Sequence, residues 1–397
     1  MLNIHLNMYQ TMAAAVVMLL VGRWLVARIE VLKKYCIPAP VVGGLIFALA
    51  HCAMRAAGLI QLQLDTTLQS VFMTAFFCSV GFLAGFAMLK KGGVGVVKFL
   101  ILAIVAVVFQ DLVGAATAPL FGLDAKLGLS MGSIALVGGH GTSASFGPFL
   151  EQMQVEGATT VAIASATYGL VAGCVIGGPL ATAKIRKIGL SPKSLEGRDT
   201  KDFMTKVDEN TGALEPDEMV NGTMLIVLAV GFGTVISLLI AKMINMPAYI
   251  GAMLAAAAIR NAADALDKPL PMKEIMTLGN ICLALFLSVA MINLKLWELV
   301  SLAVPMTVIL LVQTVLVFVY AYFVVFRVMG GDYDAATMSA GFCGFAMGAT
   351  PNAVANMEAI TQRYGPAPVA FMIVPLVGAL FIDFFNAAII TAFANWL

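Results

Sequence analysis

Long apolar stretches recur along the chain, and short polar segments separate them. Each stretch holds about twenty residues, which is the length that an α-helix needs to cross the hydrocarbon core of a bilayer. The pattern therefore predicts an all-α polytopic membrane protein with transmembrane helices in both halves of the chain. The predicted spans are residues 8–29, 39–58, 69–89, 95–119, 159–183, 220–243, 247–261, 274–294, 300–326 and 366–390.

The composition agrees with this interpretation and narrows the possible partners. Of the 397 residues, 61% are hydrophobic and 11% are charged, whereas a soluble domain carries about 25% charged residues. This apolar composition predicts a lipid bilayer as the surroundings, and the formal net charge of +1 argues against a nucleic-acid partner. The six cysteines are scattered without a CxxC motif, so they predict neither a disulfide framework nor a metal site.

The two halves of the chain resemble each other, and a charged linker joins them. Matching motifs occur in the same order in both halves: IPA at 37–39 with MPA at 246–248, and FFCSVG at 76–81 with LFLSVA at 285–290. Residues 1–183 and 220–397 each contain five predicted spans, and an odd number of crossings gives the two halves opposite orientations. Two inverted-topology repeats of five transmembrane helices are an architecture of secondary transporters.

The basic residues set the predicted orientation. The linker at 184–219 holds 15 of the 45 charged residues. With the N-terminus outside, 19 of the 23 Lys and Arg residues lie on the cytoplasmic side, as the positive-inside rule requires. We therefore predict a cytoplasmic linker and two termini on the outer side. The first residues, MLNIHLNMYQ, lack the basic segment of a cleavable signal peptide, so we expect the first span to be retained.

Two segments, 127–156 and 334–362, are too polar and too rich in glycine to form continuous spans. The first contains LVGGHGTSASFGP and the second contains GFCGFAMGATPNA. Unpaired backbone groups cost several kcal/mol each in lipid, so a broken helix persists only where protein or a watery cavity covers it. We therefore predict that each segment is a re-entrant hairpin of two short helices around a glycine break.

The expected positions of the breaks follow from helix-start signals. In the first hairpin we place the break at Gly138–Gly141 and the N-cap of the second helix at Thr142 or Ser143, because hydroxyl side chains cap helix N-termini. In the second hairpin we expect Thr350 as the N-cap and Pro351 as the first helical residue. The glycines expected to form that second break are Gly341, Gly344 and Gly348.

Both hairpins suit a small anion. A helix N-terminus carries free N–H groups and a partial positive charge, which favour a carboxylate or a phosphate. Two inverted hairpins would bring two such ends together near the middle of the membrane. The alternative is that the glycines serve only the close packing of helices. The candidate substrate-binding residues are Gly139, His140, Gly141, Thr142, Ser143, Gly348, Ala349, Thr350 and Asn352.

These hairpin motifs resemble the paired re-entrant loops of the glutamate:sodium symporter family. The similarity covers nearly the whole chain and includes IPAPVVGG, LKLWELVSLAVPM and VPLVGALFIDFFNA. The resemblance implies sodium-coupled uptake of L-glutamate across the bacterial inner membrane, with both loops lining the pathway. We expect this uptake to proceed by alternating access, and the termini predicted on the outer side are then periplasmic. The resemblance also implies a homodimer in which each protomer pairs a scaffold with a mobile transport unit. Na⁺ is then the co-transported ion, and we expect no organic cofactor.

Two polar residues in the last span are candidate sodium ligands. Asp383 and Asn386 lie three residues apart on one helix face, and an intramembrane carboxylate is costly enough to be a functional candidate. Carboxylate and amide oxygens suit Na⁺, and the broken backbone near Gly344 offers carbonyl groups. We therefore predict Asp383, Asn386 and Gly344 as sodium ligands. For Asp383, the alternatives are a proton-carrying carboxylate and a partner for a Lys or Arg.

Two further polar residues lie midway through the fourth span. Gln110 and Asp111 have Gln313 as a counterpart in the second half. They are either substrate contacts or interhelix hydrogen-bonding groups, which contribute about 1 kcal/mol in membranes.

Sodium-driven glutamate symport is the leading functional hypothesis. The alternative is a proton-coupled carboxylate carrier or a Na⁺/H⁺ antiporter, in which Asp383 would titrate. An intramembrane enzyme built around His140 is disfavoured, because no nucleophile–base motif accompanies the histidine and a single active site does not explain paired hairpins. We therefore predict a transporter and not an enzyme.

Overall fold

The computed structural model describes residues 2–85, 93–192, 214–240, 247, 249–299 and 302–397. Most of the predicted cytoplasmic linker, residues 193–213, lies outside this described part of the chain. The same is true of Lys90, Lys91 and Lys242, which contribute to the predicted orientation.

The first half is helical apart from two short strands. Its elements are β1 (Leu2–Leu6), α1 (Met8–Arg28), α2 (Glu30–Lys34), α3 (Ala39–Ala56), β2 (Ile60–Leu64), α4 (Thr67–Leu83), α5 (Gly93–Thr117), α6 (Ala125–Ser130), α7 (Ser133–Leu136), α8 (Gly139–Gln152) and α9 (Ala158–Ile188). A 3₁₀ turn at Ala118–Phe121 follows α5.

The described residues of the second half form helices joined by turns, without a strand. Its elements are α10 (Pro216–Ile240), α11 (Tyr249–Ala265), α12 (Met272–Ile292), α13 (Ala303–Tyr320), α14 (Phe326–Val328), α15 (Tyr333–Met347), α16 (Thr350–Tyr364), α17 (Pro368–Leu380) and α18 (Ile382–Trp396). A 3₁₀ turn at Leu296–Leu299 precedes α13, and a π-helical turn at Ala321–Val325 joins α13 to α14.

Within the described residues, each predicted span coincides with a helix or with consecutive helical segments. Within the described ranges, seven helices are long and apolar enough to cross a membrane, and eight if α17 and α18 form one bent span. The helices α4 and α11, with 17 residues each, are shorter. The prediction of a helical polytopic membrane protein is therefore confirmed.

One small sheet, which the sequence analysis did not predict, accompanies the helices. β1 and β2 form a parallel two-stranded sheet in which Leu2 is paired with Ile60. Both strands alternate apolar and polar residues, LNIHL and IQLQL, which is the period of a half-buried strand. The Leu62 N–H donates a hydrogen bond to His51 Nε2 (3.1 Å). The sheet therefore holds the start of the chain against the end of α3.

The helices pack as two bundles that face each other. The first bundle consists of α1, α3, α4 and α10–α12, and the second consists of α5–α9 and α13–α18. In the first bundle, α4 packs on α11 and α12, and α3 packs on α12. In the second, α9 packs on α8, α15 and α16, and the buried rings of Phe99, Phe342 and Phe345 contact one another. The interface between the bundles positions the candidate site.

Small residues set the distance between helices inside the first bundle. A side chain at Gly233 of α10 would meet the backbone of Gly251 and Ala252 in α11. Gly231, on the same helix, has no atom within 4 Å of the position that its Cβ would occupy. Because small residues let membrane helices approach closely, the packing of α10 on α11 depends on Gly233.

We expect the substitution Gly233→Val to destabilise the folded protein by about 1–3 kcal/mol, the usual cost of adding methyl groups to a packed interface. The measurement is thermal unfolding of the purified protein in detergent. Gly231→Val adds the same side chain to the same helix and should not lower the unfolding temperature. Equal unfolding temperatures for the two variants would contradict the packing described above.

Candidate functional site

A cavity of about 500 Å³, here called the central cavity, lies between the two bundles. The first bundle contributes the segment before α3 and parts of α4 and α12, and the second contributes both glycine-rich hairpins and the last span. The lining residues used below are Cys36, Pro38, Pro40, Phe76, Phe77, Val137–Thr142, Asn280, Leu283, Gly348–Pro351, Gly378 and Asp383.

The first hairpin consists of α6, α7 and α8, and two turns interrupt it. These turns are Met131–Gly132 and Val137–Gly138. The predicted break at Gly138–Gly141 is therefore wrong in extent, since α8 already begins at Gly139. The physical reason is the φ of +62° at Gly139, which a residue without a Cβ adopts at little cost and which turns the chain into the helix.

The hydroxyl residues that were predicted as caps lie elsewhere. Thr142 and Ser143 are inside α8, whose N-cap position is Gly138, so the prediction that they cap this helix is wrong. Ser143 Oγ donates a hydrogen bond to the Ala162 carbonyl of α9 (3.2 Å). Thr142 remains part of the cavity wall.

The second hairpin consists of α15 and α16, with its break at Gly348–Ala349. The prediction that Gly341 and Gly344 belong to the break is wrong, because α15 is continuous through both. A Cβ at Gly344 would meet the backbone of Asn352 in α16, so this glycine lets the two arms pack closely. The Gly344 carbonyl also accepts a hydrogen bond from the Ala349 N–H (3.2 Å).

The start of α16 is one residue away from its predicted place. Ala349 occupies the N-cap position, which was predicted for Thr350, and Thr350 is the first helical residue. The reason is that the Ala349 carbonyl already accepts hydrogen bonds from the N–H groups of Asn352 (3.0 Å) and Ala353 (3.2 Å). Pro351 is therefore the second residue of the helix and not the first.

The two hairpin tips meet at the central cavity. A Cβ at Gly139 would lie 3.3 Å from the Gly348 carbonyl oxygen. The N-terminal ends of α8 and α16 both line the cavity, and neither has a side-chain cap among the described residues. Their first N–H groups have no carbonyl partner within the helix and carry partial positive charge, which favours an anion. His140 Nε2 lies 3.0 Å from Thr167 Oγ1, a contact that orients the ring against α9.

The last span is also interrupted, at Phe381, where α17 and α18 meet at an angle of 44°. Asp383 is the second residue of α18, so its carboxylate lies in the first turn of a helix, where negative charge is favourable. Asp383 lines the central cavity together with the two hairpin tips. The sequence pattern predicted Asp383 inside a continuous helix and did not show this break.

Several predicted site residues do not line the central cavity. They are Gln110, Asp111, Ser143, Gly344, Asn352 and Asn386. Asn352 Nδ2 donates a hydrogen bond to the Leu170 carbonyl (2.9 Å) and lies 3.0 Å from Cys174 Sγ, so it holds α16 on α9. Asn386 Nδ2 donates to the Ser133 carbonyl (3.3 Å) and joins α18 to α7.

Gln110 and Asp111 connect α5 to both hairpins. Gln110 Nε2 donates a hydrogen bond to the Ala346 carbonyl of α15 (2.8 Å), and Gln313 Nε2 donates to the Gln110 carbonyl (2.7 Å). The Asp111 carboxylate accepts hydrogen bonds from the N–H and the Oγ of Ser133, each at 2.9 Å. Through these bonds, α5 fixes both hairpins in one body.

The sequence analysis missed the wall that the first bundle contributes. Pro38 and Pro40 precede or begin α3, Phe76 and Phe77 belong to α4, and Asn280 belongs to α12. The motifs IPAPVVGG and FFCSVG contain four of these residues. These motifs could have indicated the first-bundle wall, but nothing in the sequence showed that they lie opposite the hairpin tips.

A second cavity of about 550 Å³, here called the polar cavity, lies between the same two bundles. Polar residues in its wall include Gln69, Ser70, Thr74, Glu151, Thr160, Asn293 and Lys295. Phe77 lines the central cavity and Tyr249 lines the polar cavity. Their rings stack with centroids 4.2 Å apart, and Phe146 packs edge-on against Tyr249 at 5.9 Å. An aromatic layer therefore separates the two cavities.

Comparison with known proteins identifies relatives over nearly the full length of the chain. A family model described as sodium/glutamate symporter matches residues 4–366. The sodium/glutamate symporter of Escherichia coli (strain K12) is 41% identical over 391 residues, which is 97% of each chain. The sodium/glutamate symporter of Haemophilus influenzae is 38% identical over 392 residues, which is 96% of each chain. The chain therefore belongs to the sodium/glutamate symporter family.

Proposed function

We propose that this protein is a sodium-coupled secondary transporter that imports L-glutamate across the inner membrane by alternating access. The observation that carries the proposal is the convergence of two uncapped helix N-termini on one cavity between two bundles, because such ends bind carboxylates. Membership of the family supports sodium as the coupled ion and glutamate as the substrate. Because this is a family of transporters, the prediction that the chain is not an enzyme is confirmed.

The central cavity offers partners for both ends of L-glutamate. One carboxylate of the substrate binds at the N-terminus of α8, beside His140 and Thr142, and the other binds at the N-terminus of α16, beside Gly348–Thr350. Ser143 and Asn352 support these contacts from behind, because their hydrogen bonds hold α8 and α16 on α9. The ligand thereby supplies the acceptors that the two helix ends lack.

Asp383 supplies negative charge at the same cavity. A carboxylate at the start of α18 attracts to this cavity the Na⁺ that accompanies an anionic substrate. Of the other predicted ligands, Asn386 lies one turn further along α18, and Gly344 lies in α15 behind the second tip. Neither residue lines the central cavity, so their oxygens would reach Na⁺ only from behind the residues that form the cavity wall.

Two cavities at one interface support alternating access. The central and polar cavities both lie between the first and second bundles, and the stacked rings of Phe77 and Tyr249 separate them. A displacement of the second bundle along the first would move the hairpin tips from the central cavity toward the polar cavity. The first bundle is then the scaffold and the second bundle is the mobile unit.

The packing also supports two inverted repeats, residues 1–183 and 220–397, each with a re-entrant hairpin near 127–156 or 334–362. α3 of the first repeat packs on α12 of the second, and α11 of the second repeat packs on α4 of the first. The match of IPA with MPA pairs Pro38 with Pro247. Pro38 lines the central cavity and Pro247 lines the polar cavity, as expected if exchange of the repeats interconverts the two cavities.

The proposed arrangement in the membrane follows the distribution of basic residues. The linker at 184–219 is cytoplasmic, both termini are periplasmic, and two copies of the chain form a homodimer through the scaffold. Exposed apolar residues such as Val227, Phe232 and Leu238 make one face of α10 suitable for lipid or for a second subunit. The mass of the protein in a detergent-corrected scattering measurement would test the dimer.

Reconstituted uptake tests the function. Purified protein in liposomes should accumulate labelled L-glutamate when an inward Na⁺ gradient is present, and choline in place of Na⁺ should abolish accumulation. Uptake that continues in choline would contradict sodium coupling. Loss of uptake when the pH gradient is dissipated at constant Na⁺ would instead favour a proton-coupled carrier or Na⁺/H⁺ antiporter that uses Asp383.

A substitution at the first hairpin tip tests the location of the substrate. A Cβ at Gly141 would lie 3.5 Å from the side chains of Phe76 and Leu283 and would meet no backbone atom. We therefore expect Gly141→Val to narrow the cavity and lower uptake at least about tenfold, with little change in unfolding temperature. Gly178→Val, on an α9 position with open space beside it, should transport like the unmodified protein. Normal uptake by Gly141→Val would place the substrate elsewhere.

Thiol labelling tests occupancy of the same cavity. Burial, with a smaller contribution from the Glu358 carboxylate, raises the pKa of the Cys36 thiol. Because the thiolate is the reactive form, a maleimide should label Cys36 slowly near neutral pH and faster as the pH rises. L-Glutamate with Na⁺ should slow this reaction, and a Cys36→Ser variant gives the background from other cysteines. An equal rate of Cys36 labelling with and without L-glutamate and Na⁺ would contradict binding in the central cavity.

A further inference from the structure

The carboxylate of Asp111 is buried in the middle of α5, and no positively charged partner is found for it among the described residues. Its side chain is inaccessible to solvent, and its two hydrogen bonds come from the neutral N–H and hydroxyl of Ser133. The ion pairs found among the described residues are Arg260–Asp264 and Lys295–Glu298, neither of which involves Asp111. An intramembrane carboxylate without a counter-charge is costly.

Two residues related to Ser133, Ser130 by position in the chain and Asn386 by a hydrogen bond, carry unpartnered oxygen atoms. Ser130 Oγ and Asn386 Oδ1 are buried and have no hydrogen-bond partner among the described residues. Asn386 and Asp111 share Ser133 as a hydrogen-bond partner: Asn386 Nδ2 donates to the Ser133 carbonyl, and the Ser133 N–H donates to the Asp111 carboxylate. Ser130 ends α6, three residues before Ser133. Buried polar atoms are normally satisfied, and oxygens that lack donors are the atoms that a bound cation satisfies.

The backbone of the turn between α6 and α7 also lies close to the Asp111 carboxylate. A Cβ at Gly132 would lie 2.9 Å from Asp111 Oδ1 and 3.0 Å from the Gln110 carbonyl oxygen. The Met131–Gly132 turn therefore brings the C-terminal end of α6 directly against Asp111. Ends of interrupted membrane helices of this kind coordinate Na⁺ or H⁺ in secondary transporters.

We propose that Asp111, Ser130, Ser133 and Asn386 form a sodium site at the turn between α6 and α7. The donors are a carboxylate, two hydroxyls and an amide oxygen, and one carboxylate matches the charge of one Na⁺. All four donors are oxygen atoms and none is a thiolate or an imidazole, so the site suits a hard cation such as Na⁺ more than a soft transition metal. The inference rests on the proposed function, because sodium is its coupling ion.

This site lies on the protein side of the substrate cavity and is connected to it through Ser133. The Ser133 carbonyl accepts hydrogen bonds from the N–H groups of Val137 (3.2 Å) and Gly138 (2.9 Å), the residues that begin the first hairpin tip. A sodium ion that holds Asp111 and Asn386 together fixes Ser133 between them. Sodium binding therefore fixes the tip in the position in which the N-terminus of α8 receives the substrate.

A charge-neutral variant separates this site from a purely structural role. Asp111→Asn keeps an oxygen acceptor for the Ser133 N–H but removes the charge. We expect the variant without Na⁺ to unfold near the temperature of the unmodified protein. The rise in unfolding temperature that NaCl produces over choline chloride, measured without glutamate, should require at least about tenfold more Na⁺. The Na⁺ concentration for half-maximal uptake should rise by a similar factor.

Two further variants sharpen the test. Asp124→Asn is the matched control, because the Asp124 carboxylate also accepts a backbone N–H, that of Lys126 at the start of α6 (2.8 Å), but lies outside the site. It should keep the normal Na⁺ response. Ser130→Ala removes an unpartnered oxygen and none of the hydrogen bonds to Asp111, so it should weaken the Na⁺ response, which a capping role of Asp111 does not predict.

The outcomes distinguish this inference from the proposed function. If the unmodified protein transports glutamate without any dependence on Na⁺, the proposed function fails. If it depends on Na⁺ and Asp111→Asn has an unchanged Na⁺ response, the sodium site is wrong while the function stands. If Asp111→Asn does not fold, Ser130→Ala decides: it removes an unpartnered oxygen and should weaken the Na⁺ response severalfold, and an unchanged response would overturn the site.

Discussion

The bilayer core offers no water to backbone N–H and C=O groups, and the structure is organised around this constraint. Where the chain stays helical, the constraint is met locally. Where a helix stops, the N–H or C=O groups at its end need hydrogen-bond partners. The interrupted segments show two arrangements. The short helix α7 receives the Asp111 carboxylate at Ser133. The starts of α8 and α16 have no side-chain cap among the described residues and face the central cavity. In the proposed function, the carboxylates of the substrate accept hydrogen bonds from these N–H groups.

The same hydrogen bonds that satisfy the interrupted backbone also connect the two hairpins. Gln110 binds the carbonyl of Ala346 in α15, and Asp111 binds Ser133 in α7, so neighbouring residues of one helix hold both hairpins. Both hairpins are therefore hydrogen-bonded to the same turn of α5. If Na⁺ at Asp111 favours the tip geometry that binds glutamate, linkage requires glutamate to increase the affinity for Na⁺ by the same factor. Such reciprocity is what coupled transport needs.

The apolar pattern was sufficient for the spans, because burial in lipid acts on about twenty consecutive residues at once. The helix starts at the tips were harder to predict, because a positive φ at Gly139 and the extended backbone of Ala349 decide them, and not the hydroxyl residues nearby. The hydrogen-bond partner of Asp111 could not be predicted either, since Ser133 lies 22 residues away on a hairpin. The wall from Phe76 and Phe77 required the packing of one bundle on the other, which no local motif encodes.

The central claim is that the uncapped ends of α8 and α16 bind the carboxylates of L-glutamate. The most direct test is a cryo-electron microscopy map of the protein with saturating L-glutamate and Na⁺. The account predicts ligand density between Gly139–Thr142 and Gly348–Pro351, with carboxylate oxygens within hydrogen-bonding distance of backbone N–H groups. Glutamate density at another place, with the two hairpin tips in contact only with protein, would contradict it.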